Sequence, residues 1–205
     1  MENCKRLYAD TLAFYRRELS GPVFTAGWAF AGIVVLGFAF SLLFPTRADA
    51  VIAYYAQMLG QSGVADEGGN IQFFALLINN LVAMALSLVY GLIPFLRLPA
   101  LTLGTNGAIL GLFAGYYMRQ NISLFKYLLG ILPHGIFELT ALILSAAMGL
   151  YLCSTVTNAL RKKQTGVLRP ALHRCCQILY LWVLPLLFIA ALVETYITPI
   201  LFNLV

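Results

Sequence analysis

Charge is what this chain has least of: of its 205 residues only 10% are charged and 61% are hydrophobic, against about 25% charged in an ordinary soluble domain. A single small water-soluble core cannot hide so much apolar side chain, whereas in a bilayer the lipid itself is the solvent. Histidine is nearly absent too, with His134 and His173 alone, which narrows the acid–base chemistry available. The four cysteines, Cys4, Cys153, Cys175 and Cys176, form no C-x-x-C pair and no metal-ligand spacing, so they give no signal for a zinc ribbon or a disulfide framework. Gly-rich phosphate loops, nucleophile elbows and Ser-His-Asp arrangements are missing as well. The first twenty residues interleave Lys5, Arg6, Arg16 and Arg17 with acids and have no cleavable apolar core, so the first apolar segment is expected to be retained. The net charge of +5 comes without aromatic platforms or a separate basic domain, so no nucleic-acid partner is expected. The lysines and arginines punctuate apolar runs instead, as topology determinants and contacts for anionic lipid do.

What is there reads as an all-α polytopic membrane bundle. In residues 1–20 the apolar positions Tyr8, Leu12, Tyr15 and Leu19 form one helical stripe, which predicts an interfacial helix on the cytoplasmic surface. Residues 21–205 form the membrane domain, with about five spans near 22–44, 71–95, 99–118, 135–153 and 176–201. At 1.5 Å per residue, such lengths suit a hydrocarbon core of about 30 Å. Residues 45–70, with Arg47, Asp49, Asp66, Glu67, Gly68 and Gly69, read as an external loop carrying a short surface helix over 51–59. A tight turn at Arg97 and Pro99 makes spans two and three antiparallel neighbours. The breaker Pro133-His134-Gly135 predicts a helix break, with 124–132 a re-entrant or interfacial piece; one long kinked helix is the alternative. Gly107, Gly111 and Gly115 are spaced for close helix packing, and a homo-oligomer is compatible with that stripe.

Counting Lys and Arg beside the spans gives ten on the N-terminal side and three on the other, predicting a cytoplasmic N-terminus and an extracytoplasmic C-terminus in the cell membrane. By that topology the cysteines lie at or near the reducing side and are expected to be free thiols.

Ionisable side chains within spans need a reason, because an acid at the helix centre costs about 2.5–3.5 kcal/mol even on insertion scales. Three occur: His134, Glu138 and Glu194. His134 and Glu138 are spaced i, i+4, and Glu194 and the pair Asn79-Asn80 lie at compatible depth, so one buried polar cluster near the extracytoplasmic side is expected. It admits three readings: protonated groups locking helices together, a divalent metal site such as zinc on His134, Glu138 and Glu194, or a proton or ion pathway. Asn106, after Thr102 and Thr105, reads as a separate helix contact, and His173 as a surface residue.

The run Leu132-Pro133-His134-Gly135-Ile136-Phe137-Glu138, followed by Ala191-Leu192-Val193-Glu194 and Thr198-Pro199, resembles the stage II sporulation protein M family. Asn79-Asn80, Gly91 with Pro94, and Asn106-Gly107 with Gly111 agree with it, so the resemblance covers about residues 71–199. It implies a membrane protein of endospore formation that anchors a peptidoglycan-degrading transglycosylase and amidase during septal thinning and engulfment. It also implies that His134, Glu138, Glu194 and Pro199 belong to one signature. A non-enzymatic scaffold is therefore the first expectation, and an intramembrane enzyme or transporter using His134, Glu138 and Glu194 the alternative.

Overall fold

The computed structural model describes residues 2–64 and 71–203, nearly all of them helical. In chain order these are α1 (Glu2–Phe14), a π-helical turn π1 (Tyr15–Leu19), α2 (Ser20–Leu43), α3 (Pro45–Gln61), α4 (Phe73–Gly91), α5 (Pro99–Arg119) and α6 (Leu124–Arg161). Then come α7 (Leu168–Ile178), π2 (Leu179–Val183), α8 (Leu184–Leu192), π3 (Val193–Ile197) and α9 (Thr198–Asn203). Four stretches are long and apolar enough to cross a membrane: Lys5–Leu43, Phe73–Gly91, Leu124–Arg161 and Leu168–Leu201. The fifth expected span is α5, whose 21 residues are diluted by Gly, Thr and Asn.

Glycine spacing decides how α5 joins the bundle. Gly107 meets Phe30 and Ile33, Gly111 meets Val34 and Phe38, and Gly115 meets Phe38 and Ser41, so α2 and α5 run parallel and in register along their shared length. A Cβ on Gly37 would stand 2.7 Å from the Ala108 carbonyl, and one on Gly111 would collide with the Val34 carbonyl. The backbones approach this closely only because no side chain stands between them. On the other side of the bundle α4 and α6 are also parallel. Gly91 rests on Gly149, the Cys153 thiol reaches the Ile93 carbonyl at 3.3 Å, and the Phe95 N–H donates to Thr157 Oγ1 at 3.0 Å. Two parallel pairs linked by the short α4–α5 turn require the chain direction to alternate, as five crossings do.

Large apolar side chains on the outer faces, Phe24, Trp28, Val35 and Leu36 on α2 and Phe74, Ile78, Val82 and Val89 on α4, point away from the bundle. The inner face of α6 is instead lined with small residues and leucines, including Ala141, Leu142, Ser145, Ala146, Met148, Gly149 and Leu152. α6 is therefore the central helix, touching α2, α4, α5 and α8.

Three expectations need correction. At Pro133 the break does not occur and the alternative, one long helix, does: α6 has 38 residues with Pro133 inside it, and no separate re-entrant piece spans 124–132. Neighbouring helices hold α6 together through the missing hydrogen bond, as they do in membrane bundles. The described part of the segment expected to be an external loop, residues 45–64, is mostly helix, because Pro45 at the first helical position starts α3, which runs to Gln61 rather than over 51–59 alone. Asp66, Glu67, Gly68 and Gly69 lie outside the described residues. Lastly, the helix expected over the first twenty residues is present from Glu2 but is not a separate interfacial piece: α1 passes through π1 into α2 without a break. Its stripe docks on the bundle, with Leu19 buried, Tyr15 against Trp182 and Phe14 against Tyr151.

Each π turn stands just before a proline. The N–H of Ser20, Leu184 and Thr198 bonds five residues back, to Tyr15, Leu179 and Val193, and Pro22, Pro185 and Pro199 follow within two residues. Proline cannot donate and crowds the carbonyl four residues earlier, and widening the preceding turn relieves that crowding.

Candidate functional site

His134 and Glu138 project from one face of α6, one turn apart, as their spacing requires. Glu194 arrives from a different helix, within the π3 turn, where the wider backbone changes the direction its side chain takes. One imidazole nitrogen and one carboxylate oxygen from each glutamate lie within 4.8 Å of one another. His134 Nε2 stands 3.9 Å from Glu194 Oε2, too far for a hydrogen bond. His134 Nδ1 lies 3.2 Å from Thr198 Oγ1 on α9, which fixes the ring plane. The His134 and Glu194 side chains retain only 12% and 23% exposure.

α3 covers this end of the bundle. Its first turns are clamped to the end of α5 by Arg119, whose guanidinium bonds both Asp49 oxygens, at 2.5 and 3.3 Å. The guanidinium holds the Asp49 carboxyl below the usual range. Ala48 and Ile52 pack on Leu112, and Tyr55 packs on Phe113. Beyond the helix Val64 is buried against Leu76 and Ala191, so the segment crosses from the α2–α5 side to the α4–α8 side. Tyr55 on the way is within electrostatic reach of both Glu138 and Glu194. Burial first, and then those two carboxyl groups, push its phenol above the ordinary range.

The asparagines do not act as a pair. Successive helical residues point about 100° apart, so Asn80 turns into the bundle while Asn79 faces outward beside Phe74, Ile78 and Val82. The register set by Gly91 and Gly149 puts Asn80 within about one turn of the depth of Glu138. Gly135 is buried beside the site, and Pro199 follows Thr198 on the outside of α9. Gly107, Gly111 and Gly115 belong to the α2–α5 seam, away from the polar group. Asn106 bonds the Thr102 carbonyl within its own helix, and His173 is paired with Gln177 on α7.

Sequence reasoning did not assign Tyr55, Thr198 or the Asp49–Arg119 clamp to the site. Thr198 sits four residues after Glu194, a helical spacing that could have signalled it. Asp49 and Arg119 are seventy positions apart, and nothing local links them.

A family model for stage II sporulation protein M matches residues 23–199, which include every residue of this polar group. The chain belongs to the stage II sporulation protein M family. A similar protein is an uncharacterized protein from Methanocaldococcus jannaschii, 35% identical over 136 residues, covering 63% of this chain and 74% of that protein. No solved structure matches. Membership together with the apolar helices makes the chain a multi-pass membrane protein of the sporulation type.

Proposed function

We propose that this family member is a membrane scaffold that holds cell-wall hydrolases, a transglycosylase and an amidase, at the extracytoplasmic face during septal remodelling and engulfment. The observation that carries the reading is α3: a helix clamped by Asp49 and Arg119 across one end of the bundle, with Val51, Tyr54 and Met58 exposed along one side. Those three are spaced i, i+3 and i+7, the pattern of a helix face that meets a partner. The basic residues collect at the opposite end, where Lys5, Arg6, Arg16 and Arg17 in α1 and π1 lie beside α7 with Arg169 and Arg174. By the positive-inside rule that end is cytoplasmic, which turns α3 toward the cell wall.

Photo-crosslinkers placed at Tyr54 and Met58 in native membranes test this, with Phe24 on α2 as the lipid-facing control. The expected result is covalent capture of hydrolases from the two α3 positions and of lipid alone from Phe24. Lipid adducts alone at all three positions overturn it. A second reading, chemistry or transport inside the membrane, draws on the convergence of His134, Glu138 and Glu194. Loss of function in a stably inserted Glu138→Gln, Glu194→Gln double variant that still captures hydrolases would favour that reading.

A further inference from the structure

The scaffold reading leaves the convergence of His134, Glu138 and Glu194 unexplained. Two carboxylates this close cannot both stay charged in a poorly solvated site without a neutralising partner. A proton on each carboxyl is one solution. An imidazolium at His134 with a proton on one carboxyl is a second, and a single divalent cation is a third, which balances two negative charges with none left over.

The geometry of the imidazole favours the cation. In the tautomer that keeps the proton on Nδ1, His134 donates to the Thr198 hydroxyl and turns a bare Nε2 lone pair toward Glu194 Oε2, across 3.9 Å. Two acceptors facing each other at that distance are too far apart to share a proton well. They lie near the spacing a metal ion sets: tetrahedral zinc with bonds of about 2.0–2.2 Å holds its ligand atoms about 3.4 Å apart, and a small inward movement of the group, whose ligand atoms all lie within 4.8 Å of one another, reaches that spacing. The Thr198 contact also matches the surroundings of a metal-binding histidine. A metal-binding histidine almost always uses its second nitrogen to bond an outer partner, which fixes the tautomer and ring plane. Here that partner is supplied by α9, just past the π3 turn that delivers Glu194.

From these observations we infer that His134 Nε2, Glu138 and Glu194 form a binding site for one divalent transition-metal ion. The ion ties α6 to π3 beneath α3. One nitrogen and two carboxylate oxygens suit zinc or manganese, and three protein ligands leave a coordination position open. The partial exposure of Glu194 gives the ion a way in. The site stands independently of the scaffold proposal, because it concerns how this end of the bundle is held together and not what docks on it.

The test uses the full-length protein in nanodiscs, stripped with a chelator and titrated separately with Zn²⁺ and Mn²⁺. Metal content is read by elemental analysis and stability by Tm. The expected result is about one ion per chain, as for a three-ligand site, with a rise in Tm on saturation. Glu138→Gln and Glu194→Gln, which keep shape and most hydrogen bonds, each weaken binding at least about tenfold, and Thr198→Val weakens it about 10- to 100-fold, as loss of an outer-shell partner does. Co²⁺ loaded into the same site shows visible d–d absorption that the Glu194→Gln variant loses. Wild-type protein that binds neither Zn²⁺ nor Mn²⁺ saturably overturns the inference, and that measurement needs no variant to fold. Binding that survives unchanged in both glutamine variants overturns it equally.

Discussion

The α2–α5 seam and the end of the bundle around His134 are built on opposite principles. Along the seam Gly37 and Gly111 let backbone meet backbone, Gly107 and Gly115 make room for Phe30, Ile33 and Ser41, and the helices there are regular. At the polar end the chain is irregular, with Pro133 inside α6, a π turn at Val193–Ile197 and a capping helix pinned by an ion pair. In lipid, apolar burial gives helices no net drive to associate, so the seam relies on close dispersion contact over its length. The polar end relies on a few directional contacts, which tolerate distortion of the backbone because they are made by side-chain tips. The seam should therefore break sharply under added volume, and the polar end should respond to charge and ligand while staying folded.

The largest effect is expected at Gly111. Gly111→Leu drives a side chain into the Val34 carbonyl and the Phe38 amide, which are backbone and cannot swing aside. A cost near the overpacking ceiling of about 3 kcal/mol should appear as loss of the monodisperse fraction after detergent extraction. A well-folded Gly111→Leu protein would mean that the seam is not a close contact. Next comes the polar end with cation present. The Glu138→Gln, Glu194→Gln double variant should extract and purify like wild type while losing the whole metal-dependent rise in Tm, which separates ligand-dependent from volume-dependent stability.

A smaller change is expected from Arg119→Ala, which unpairs Asp49 and frees the first turns of α3. Limited proteolysis should cut between Pro45 and Gln61 several times faster, with the four apolar spans still intact. The same clamp predicts a pH response. The Asp49 pKa is depressed in the folded state, so its contribution is complete above the unfolded value of about 3.9 and fades as pH falls through the folded value. Proteolysis of α3 should then accelerate only below about pH 4, and the Arg119→Ala protein should show no such step. The smallest effect is expected at Gly104 on the open side of α5, where a Cβ meets nothing. Gly104→Ala should shift thermal stability by no more than about 0.5–1 kcal/mol, in the stabilising direction helix propensity favours.

Much of the polar group was legible beforehand because it breaks a local rule: His134, Glu138 and Glu194 are ionisable residues in stretches where almost every neighbour is apolar. Asn79 and Asn80 show the limit of that rule. Both are polar at the same depth, yet helical geometry sends one inward and one outward, and which one depends on the rotation of α4 against α6. At Pro133 the sequence left a broken and a continuous helix both open for a related reason. Proline propensity is measured where water competes for the freed carbonyl, and inside this bundle the neighbours of α6 remove that competition.

Composition and periodicity by themselves determined that the chain is helical, that lipid is its solvent, and that a few acids and one imidazole must be sheltered from that solvent. These follow from the free energy of each residue in hydrocarbon, a property the residue carries wherever it sits. Only the tertiary structure decided that α2 lies parallel to α5, that Asp49 finds Arg119, and that Glu194 comes within reach of His134. Those are pairings between distant segments, set by which faces can approach most closely, and no single stretch of sequence contains that information.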